Sequence, residues 1–250
     1  LLRRFIFAIG SVAQPILFAR AALAGHPMLS EDSGTQGTGN AEFEFGFDWS
    51  RDHGNRSFLF QPQWSYGASP TLDLIVQPSW LSNADATSER EGGFGDTNLD
   101  MKWRFYGAAP LSLAIRAGFE LPTSQNELGL PHNDISTHAV VAATIDAAPY
   151  SLDANVGYTF NPKDTGLRTD LYHLSAAASL ALNEQITLTV DTAADSNPDP
   201  RNARWPAVAL AGIIYTVTPG LDVDAGYRAG LNSSAVQKQW LFGVTYRWAP

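Results

Sequence analysis

The ionisable side chains of this chain fall on alternate positions. In Leu99-Asp100-Met101-Lys102-Trp103-Arg104-Phe105, the residues Asp100, Lys102 and Arg104 share one side, and Leu, Met, Trp and Phe share the other. The same spacing pairs Glu42 with Glu44, Arg116 with Glu120, and Asp222 with Asp224 and Arg228. It leaves Asp73, His138 and Asp153 as further ionised positions on segments of their own, and by the same parity Asp96, Asp191 and Arg247 join the set. Rows of both signs at this spacing can cross-link one another by ion pairs or form a polar constriction that selects passing solutes. Catalytic chemistry is thin. His138 and His173 share the charged face, and neither belongs to a pair with metal-ligand spacing. His26, His53 and His132 fall in lead-in or loop segments. Gly92-Gly93-Phe94-Gly95-Asp96 lacks the Lys-Ser/Thr of a phosphate loop and reads as a flexible approach to the next strand. Asp195 and Asp199 read as a solvated turn. The expectation is a non-enzymatic protein with no metal and no cofactor.

Those side chains must be carried by strands, because successive residues of a strand point to opposite faces. Alternation predicts twelve of them: Asn40–Trp49, Phe58–Tyr66, Thr71–Trp80, Leu99–Phe105, Leu111–Leu121, Ile135–Ile145, Ser151–Phe160, Leu171–Leu182, Ile186–Ala194, Trp205–Val217, Leu221–Ala229 and Val236–Trp248. The links alternate in length. Gly67–Pro70, Tyr106–Pro110, Asp146–Tyr150, Asn183–Gln185 and Thr218–Gly220 are tight. Ser50–Ser57, Leu81–Phe94, Pro122–Asp134, Asn161–Asp170 and Asp195–Arg204 are longer and polar, with Gly230–Ala235 shorter on the same side. An even strand number with short turns at one end and long loops at the other is the pattern of an antiparallel up-and-down outer-membrane β-barrel, with apolar residues toward lipid and charges toward the lumen. The outward aromatics form two belts. Trp49, Trp80, Phe119, Phe160, Tyr172, Trp205, Tyr227 and Trp240 lie toward the long loops, and Trp64, Trp103, Phe105, Tyr215, Tyr246 and Trp248 toward the short turns, as at two membrane interfaces. A soluble periplasmic β-sandwich carries the same alternation with the apolar face inward, and a barrel with a structural or lipid-modifying role carries it without an open path.

The bulk numbers agree with a membrane barrel. Net charge is −9 and cysteine is absent from the 250 residues. Residues 1–24 hold three arginines and no acid, so the remainder is more acidic still, which argues against a nucleic-acid partner. Arg3 and Arg4, the apolar stretch to Ala19 and the small residues Ala22-Leu23-Ala24 read as a secretory signal peptide at 1–24. Residues 25–39 read as a polar periplasmic lead-in, and 40–250 as the barrel. Pro62 and Pro78 interrupt neighbouring strands. Proline cannot donate to a ladder and belongs at edges or bulges. A closed barrel has no edge, so the wall should break locally there, either as a bulge or as a side opening toward the membrane.

Two segments carry a family resemblance. His26 through Asn40, HPMLSEDSGTQGTGN, resembles the mature N-terminus of the outer-membrane family named for the meta-pathway of phenol degradation. Gly92 through Phe105, GGFGDTNLDMKWRF, is similar to that family's Gly-Asp-containing strand. The resemblance implies a transporter-like barrel in the bacterial outer membrane, for passive uptake of small aromatic or other hydrophobic solutes. Its implied partners are outer-membrane lipids, the solute and the barrel-assembly machinery. The chain departs from the usual aromatic ending of such barrels, since Ala249 and Pro250 follow Trp248.

Overall fold

The computed structural model describes residues 26–84, 91–124, 134–162 and 166–249. The expected signal peptide and His132 lie outside the described residues. Fourteen strand segments form one antiparallel sheet: β1 (Ala41–Asp52), β2 (Asn55–Ser69), β3 (Leu72–Gln77), β4 (Trp80–Ala84), β5 (Glu91–Phe94), β6 (Thr97–Ala108), β7 (Leu111–Leu121), β8 (Ser136–Ala147), β9 (Tyr150–Phe160), β10 (Asp170–Ala181), β11 (Ile186–Asp195), β12 (Ala207–Thr218), β13 (Leu221–Gly230) and β14 (Lys238–Trp248). β1 bonds to β2 on one side and to β14 on the other, so the sheet closes on itself. β3 and β4 are two halves of one crossing, and β5 and β6 two halves of the next. Among the described residues this makes a twelve-stranded up-and-down barrel.

Burial runs opposite to that of a soluble sheet. Along β9, Leu152, Val156 and Tyr158 are 48%, 61% and 40% exposed, while Asp153 and Asn155 between them are 6% and 3% exposed. The polar residues are inside, and the apolar ones cover the outer wall. Only a closed barrel inverts the pattern this way, because every backbone donor is spent in the ladder and the outer face meets hydrocarbon. The soluble reading is thereby overturned. Both aromatic belts stand on the outer face, tied across strands by pairs such as Trp49 with Phe58 (ring centroids 4.9 Å apart), Tyr158 with Tyr172 (5.6 Å) and Tyr227 with Trp240 (5.8 Å).

Strand boundaries differ from the sequence reading in three informative places. The long link expected at Ser50–Ser57 is a two-residue hairpin turn. His53 and Gly54 both have positive φ (47° and 95°), which is the backbone a right-twisted hairpin needs, so β1 and β2 run on to meet it. The strand expected over Thr71–Trp80 breaks at Pro78-Ser79 and continues to Ala84. The Gly92–Phe94 stretch, expected as a flexible approach, is paired strand opposite Trp80–Ser82.

Candidate functional site

The polar segment at 26–40 is not outside the barrel. The sequence reading puts it on the periplasmic side, whereas the structure seats it in the lumen, where it follows the wall strand by strand. His26 donates its N–H to Glu44 Oε2 on β1 (3.3 Å), and its ring nitrogens meet Asp224 on β13 (2.7 Å) and Asp48 on β1 (3.4 Å). Met28 Sδ accepts from Thr189 Oγ1 on β11 (2.9 Å). The N–H groups of Leu29 and Ser30 donate to Asp191 Oδ2 at 2.6 and 2.8 Å. Glu31 exchanges both backbone groups with the Asn155 carboxamide on β9: its N–H donates to Oδ1 (2.7 Å) and its carbonyl accepts from Nδ2 (2.8 Å). Ser33 N–H donates to Thr144 on β8 (2.9 Å), Gln36 N–H to Asp73 on β3 (3.1 Å), and Gln36 Nε2 to Glu42 on β1 (2.7 Å). Gly39 N–H reaches Gly67 O on β2 (2.8 Å), and the chain then enters β1. The segment is therefore a belt that circles the inner wall and returns to its start. It satisfies its extended backbone with wall side chains instead of a ladder.

Charge fixes the belt at its middle. Lys102 on β6 lies 2.7 Å from Glu31 and 3.0 Å from Asp32, and Arg116 on β7 bridges Glu31 (2.8 Å) and Asp100 (2.7 Å). His138 on β8 closes the same cluster at 2.9 Å from Asp100. Two cations held between carboxylates and shielded from bulk water are hard to separate, because removing one partner leaves the other buried and unpaired. Shape fixes the other end. Gly46 and Gly243 are register partners on β1 and β14, and a Cβ on either would meet the His26 ring. Gly212 and Gly226 are register partners on β12 and β13, and a Cβ on either would meet Pro27, at 2.9 and 3.1 Å. These glycine pairs are notches cut in the wall for the first two residues of the belt.

The wall that the belt lines is interrupted in one sector. β2 pairs with β3 from Ser69–Leu72 up to Trp64–Val76, and with β4 from Phe60–Trp80 onward. The register between those two ladders sets Pro62 opposite Pro78, and no pair spans Gln61–Gln63. The next crossing breaks at the same height, between β5 and β6 at Gly95-Asp96. There the Gly95 N–H donates to Ser79 O (2.9 Å) and Ser79 Oγ donates to Asp96 O (3.0 Å) in place of a ladder. On its other side β2 stays paired, Pro62 facing Phe45 of β1. The interruption thus spans the seam between β2 and β3–β4 and the neighbouring break between β5 and β6, and it stops at β1. Gln77 stands at its lumen edge and accepts from Arg116 Nη2 (3.2 Å).

A family model described as "Putative MetA-pathway of phenol degradation" matches residues 17–248. The chain belongs to that family. It is a barrel of the bacterial outer membrane with a channel-like fold. The structure of the COG4313 outer membrane channel from Pseudomonas putida F1 is similar over 87% of this chain and 98% of that one, at TM-score 0.71 and 11% identity. The NanC porin is similar over 82% and 98%, at TM-score 0.59 and 10% identity. No curated protein matches the sequence.

Within this phenol-degradation-family barrel, half of the ionised residues singled out in the sequence fall into two clusters. Lys102, Arg116, Asp100 and His138 form the clasp just described. Arg247 joins Glu42 (2.8 Å) to Asp222 (2.7 Å) beside Asp224, which holds His26. Glu44 accepts from Gln63 Nε2 (2.7 Å), and Asp73 holds the belt at Gln36. Asp153 accepts from Thr144 (2.6 Å). Arg228 lies higher, 3.2 Å from Gln239 and 3.7 Å from Asp48. Glu120 stands near the long-loop end of β7, across from Asn98 and Ser136. Arg104 does not join them: its guanidinium donates to Pro70 O (3.1 Å) at the short-turn rim, below the clasp. Of the loop acids, Asp199 pairs with Arg201 (3.0 Å). Among the described residues no cluster of three or more His, Asp or Glu could hold a metal ion. Sequence parity missed the belt's half of the site. His26, Glu31, Asp32 and Gln36 lie in a stretch with no alternation, and only its density of polar residues next to a barrel with an acidic and basic lumen could have pointed to it.

Proposed function

We propose that this barrel is a passive channel for small aromatic or other hydrophobic solutes, which enter from outside and leave the lumen sideways at the Pro62–Pro78 seam. One observation carries the reading: the belt occupies the inner wall all the way round, while the outer wall loses its ladder where two prolines face each other. The belt and its charged clasp narrow the axial bore and line it with polar groups, which suits water and ions poorly matched to apolar cargo. An exit at the seam would release the solute at mid-wall into hydrocarbon, where an aromatic solute gains by transfer at about 25 cal/mol per Å² of apolar surface. Passage by this route needs no catalytic step. The ionised residues Glu42, Glu44, Asp73, Asp100, Lys102, Arg116, His138, Asp153, Asp222, Asp224 and Arg228 then act by holding the belt and setting the polarity of the bore, and Glu120 by its place near the outer mouth.

The test uses cells whose outer membrane carries the protein. Uptake of an aromatic fluorescent probe excluded by lipopolysaccharide is compared with uptake of a sugar of similar size. The account expects faster entry of the aromatic probe alone, slowed when both prolines are replaced by threonine while heat-modifiable gel mobility is kept. Unchanged probe uptake in the folded double variant counts against the seam, and preferential entry of the sugar counts against the solute class.

A further inference from the structure

Three lumen side chains above the belt stand in an order with chemical meaning. His173 and Ser175 are two residues apart on β10, so both face the lumen, and Asp195 is the register partner of His173 on β11. The His173 Nδ1 lies 2.6 Å from Asp195 Oδ1, and its Nε2 lies 3.0 Å from Ser175 Oγ. A hydroxyl on one ring nitrogen and a carboxylate on the other is the arrangement that activates a serine nucleophile: the imidazole takes the hydroxyl proton, and the acid orients the ring and offsets its charge. We propose that Ser175, His173 and Asp195 form an ester-hydrolysing site in the outer vestibule of the barrel. This goes beyond the channel reading and does not depend on it.

The surroundings define what the site could take. From the mouth inward, the side chain of Asp195 is 53% exposed and that of His173 23%, while Ser175 is buried at 9%. The row descends from solvent to the belt, which forms its floor. Leu171 and Ala177 flank the pair on the same face of β10, while Asn155 is the register partner of Ser175 on β9 and Asp191 and Asp195 lie on β11, so the acids beside the site favour a small uncharged carboxylic ester over an anionic one. Asn155 completes the site. Ser175 Oγ donates to its Oδ1 (3.0 Å), and the carboxamide is itself clamped by the Glu31 backbone. Rotation about the Cβ–Oγ bond moves the serine proton from Asn155 Oδ1 to His173 Nε2. The Asn155 Nδ2 is committed to Glu31 O, so Asn155 positions the serine hydroxyl and not the oxygen that becomes negative. Neighbouring backbone N–H groups are spent in the ladder, so that oxygen has no donor set for it and turnover is slow.

The reaction balances without a co-reactant other than water. The Ser175 oxygen bonds to the ester carbonyl carbon as His173 Nε2 takes the hydroxyl proton. The carbon–oxygen bond to the alcohol then breaks, and the same proton passes from Nε2 to the departing alkoxide. Water repeats the sequence on the acyl-serine, giving a carboxylic acid and restoring the hydroxyl.

The decisive experiment treats the folded full-length barrel in detergent with a fluorophosphonate probe and locates the adduct by mass spectrometry. In parallel, p-nitrophenyl acetate hydrolysis is measured for the wild type, Ser175→Ala, His173→Asn and Asp195→Asn. The proposal expects phosphonylation at Ser175 and about a 100-fold slower labelling in His173→Asn. It also expects Ser175→Ala to lose ester turnover and Asp195→Asn to slow it while keeping the ring's hydrogen bond. Heat-modifiable mobility and ion conductance should stay as in the wild type throughout, showing the barrel intact. A folded wild type unlabelled at Ser175, labelling equal in His173→Asn, or ester turnover equal in Ser175→Ala would overturn it.

Discussion

The wall from β7 to β13 and the sector from β2 to β6 are built from the same alternating sequence, and they differ in how often the rule is broken. In β7–β13 the ladder runs with a single register shift, at Thr216/Thr218, and the prolines stand outside the strands. In β2–β6 two crossings are split, two prolines face each other, and a glycine-aspartate step replaces ladder pairs. The first region shows what lipid demands. The outward residues are apolar but for Thr137, Asp170 and Thr192, and neighbouring strands pair along their length, because hydrocarbon tolerates few unpaired or polar groups. The second shows where that demand has been relaxed, and it is there that the proposed side exit for solutes is placed.

The largest expected effect tests the regular wall. Val156 is 61% exposed at the middle of β9, and Val156→Arg puts a cation in the bilayer at a cost of about 2–4 kcal/mol. The folded, heat-modifiable band should be lost or strongly reduced on gels. Next comes the notch that seats the belt. A Cβ at Gly46 would meet only the His26 ring, at 2.8 Å, so Gly46→Ala should displace the belt rather than the wall, at about 1–3 kcal/mol. Single-channel conductance should rise, and protease reach into residues 26–40 should increase, with the barrel still folded. A smaller loss is expected for Glu31→Gln, which takes one carboxylate from Lys102 and Arg116 while Asp32 and Asp100 remain. Roughly 1–2 kcal/mol of belt anchoring should go, read as more frequent open events in the same recordings. The smallest effect on stability belongs to Pro62→Thr with Pro78→Thr. It should leave the midpoint of unfolding within about 0.5 kcal/mol of the wild type and show itself only in uptake of aromatic probes.

How much of this was legible in the sequence follows from the same contrast. The regular wall was almost fully readable: Leu111–Leu121 appears in the structure with the bounds expected, and the inside-out burial of β9 follows residue by residue from its alternation. The breaks were readable in kind but not in form. Pro62 and Pro78 announced an interruption, yet that they oppose each other depends on register, which a two-residue period does not fix across strands. The hairpin at His53-Gly54 was hidden because Arg51, Asp52, Asn55 and Arg56 look like loop, although the chain spends them as the exposed ends of β1 and β2. The belt was the least legible. Its residues follow no period, since an extended chain bonded to wall side chains has no repeating partner, and Asn155 and Asp191 gave no sign of being its anchors. Ser175, His173 and Asp195 were hidden for a related reason, as the acid comes from the next strand.

The seam between β2 and β4 is the claim most directly open to measurement. The chain has no cysteine, so Gln61→Cys with Ser79→Cys supplies the only two thiols, one on each side of the interruption, and a short reducible linker can close it. In cells carrying the linked barrel, uptake of the aromatic probe should fall to the level of cells lacking the protein and recover on reduction, with ion conductance unaltered. Uptake that proceeds at the same rate with the seam verifiably linked would show that solutes leave along the axis, and the account of the broken wall would be wrong.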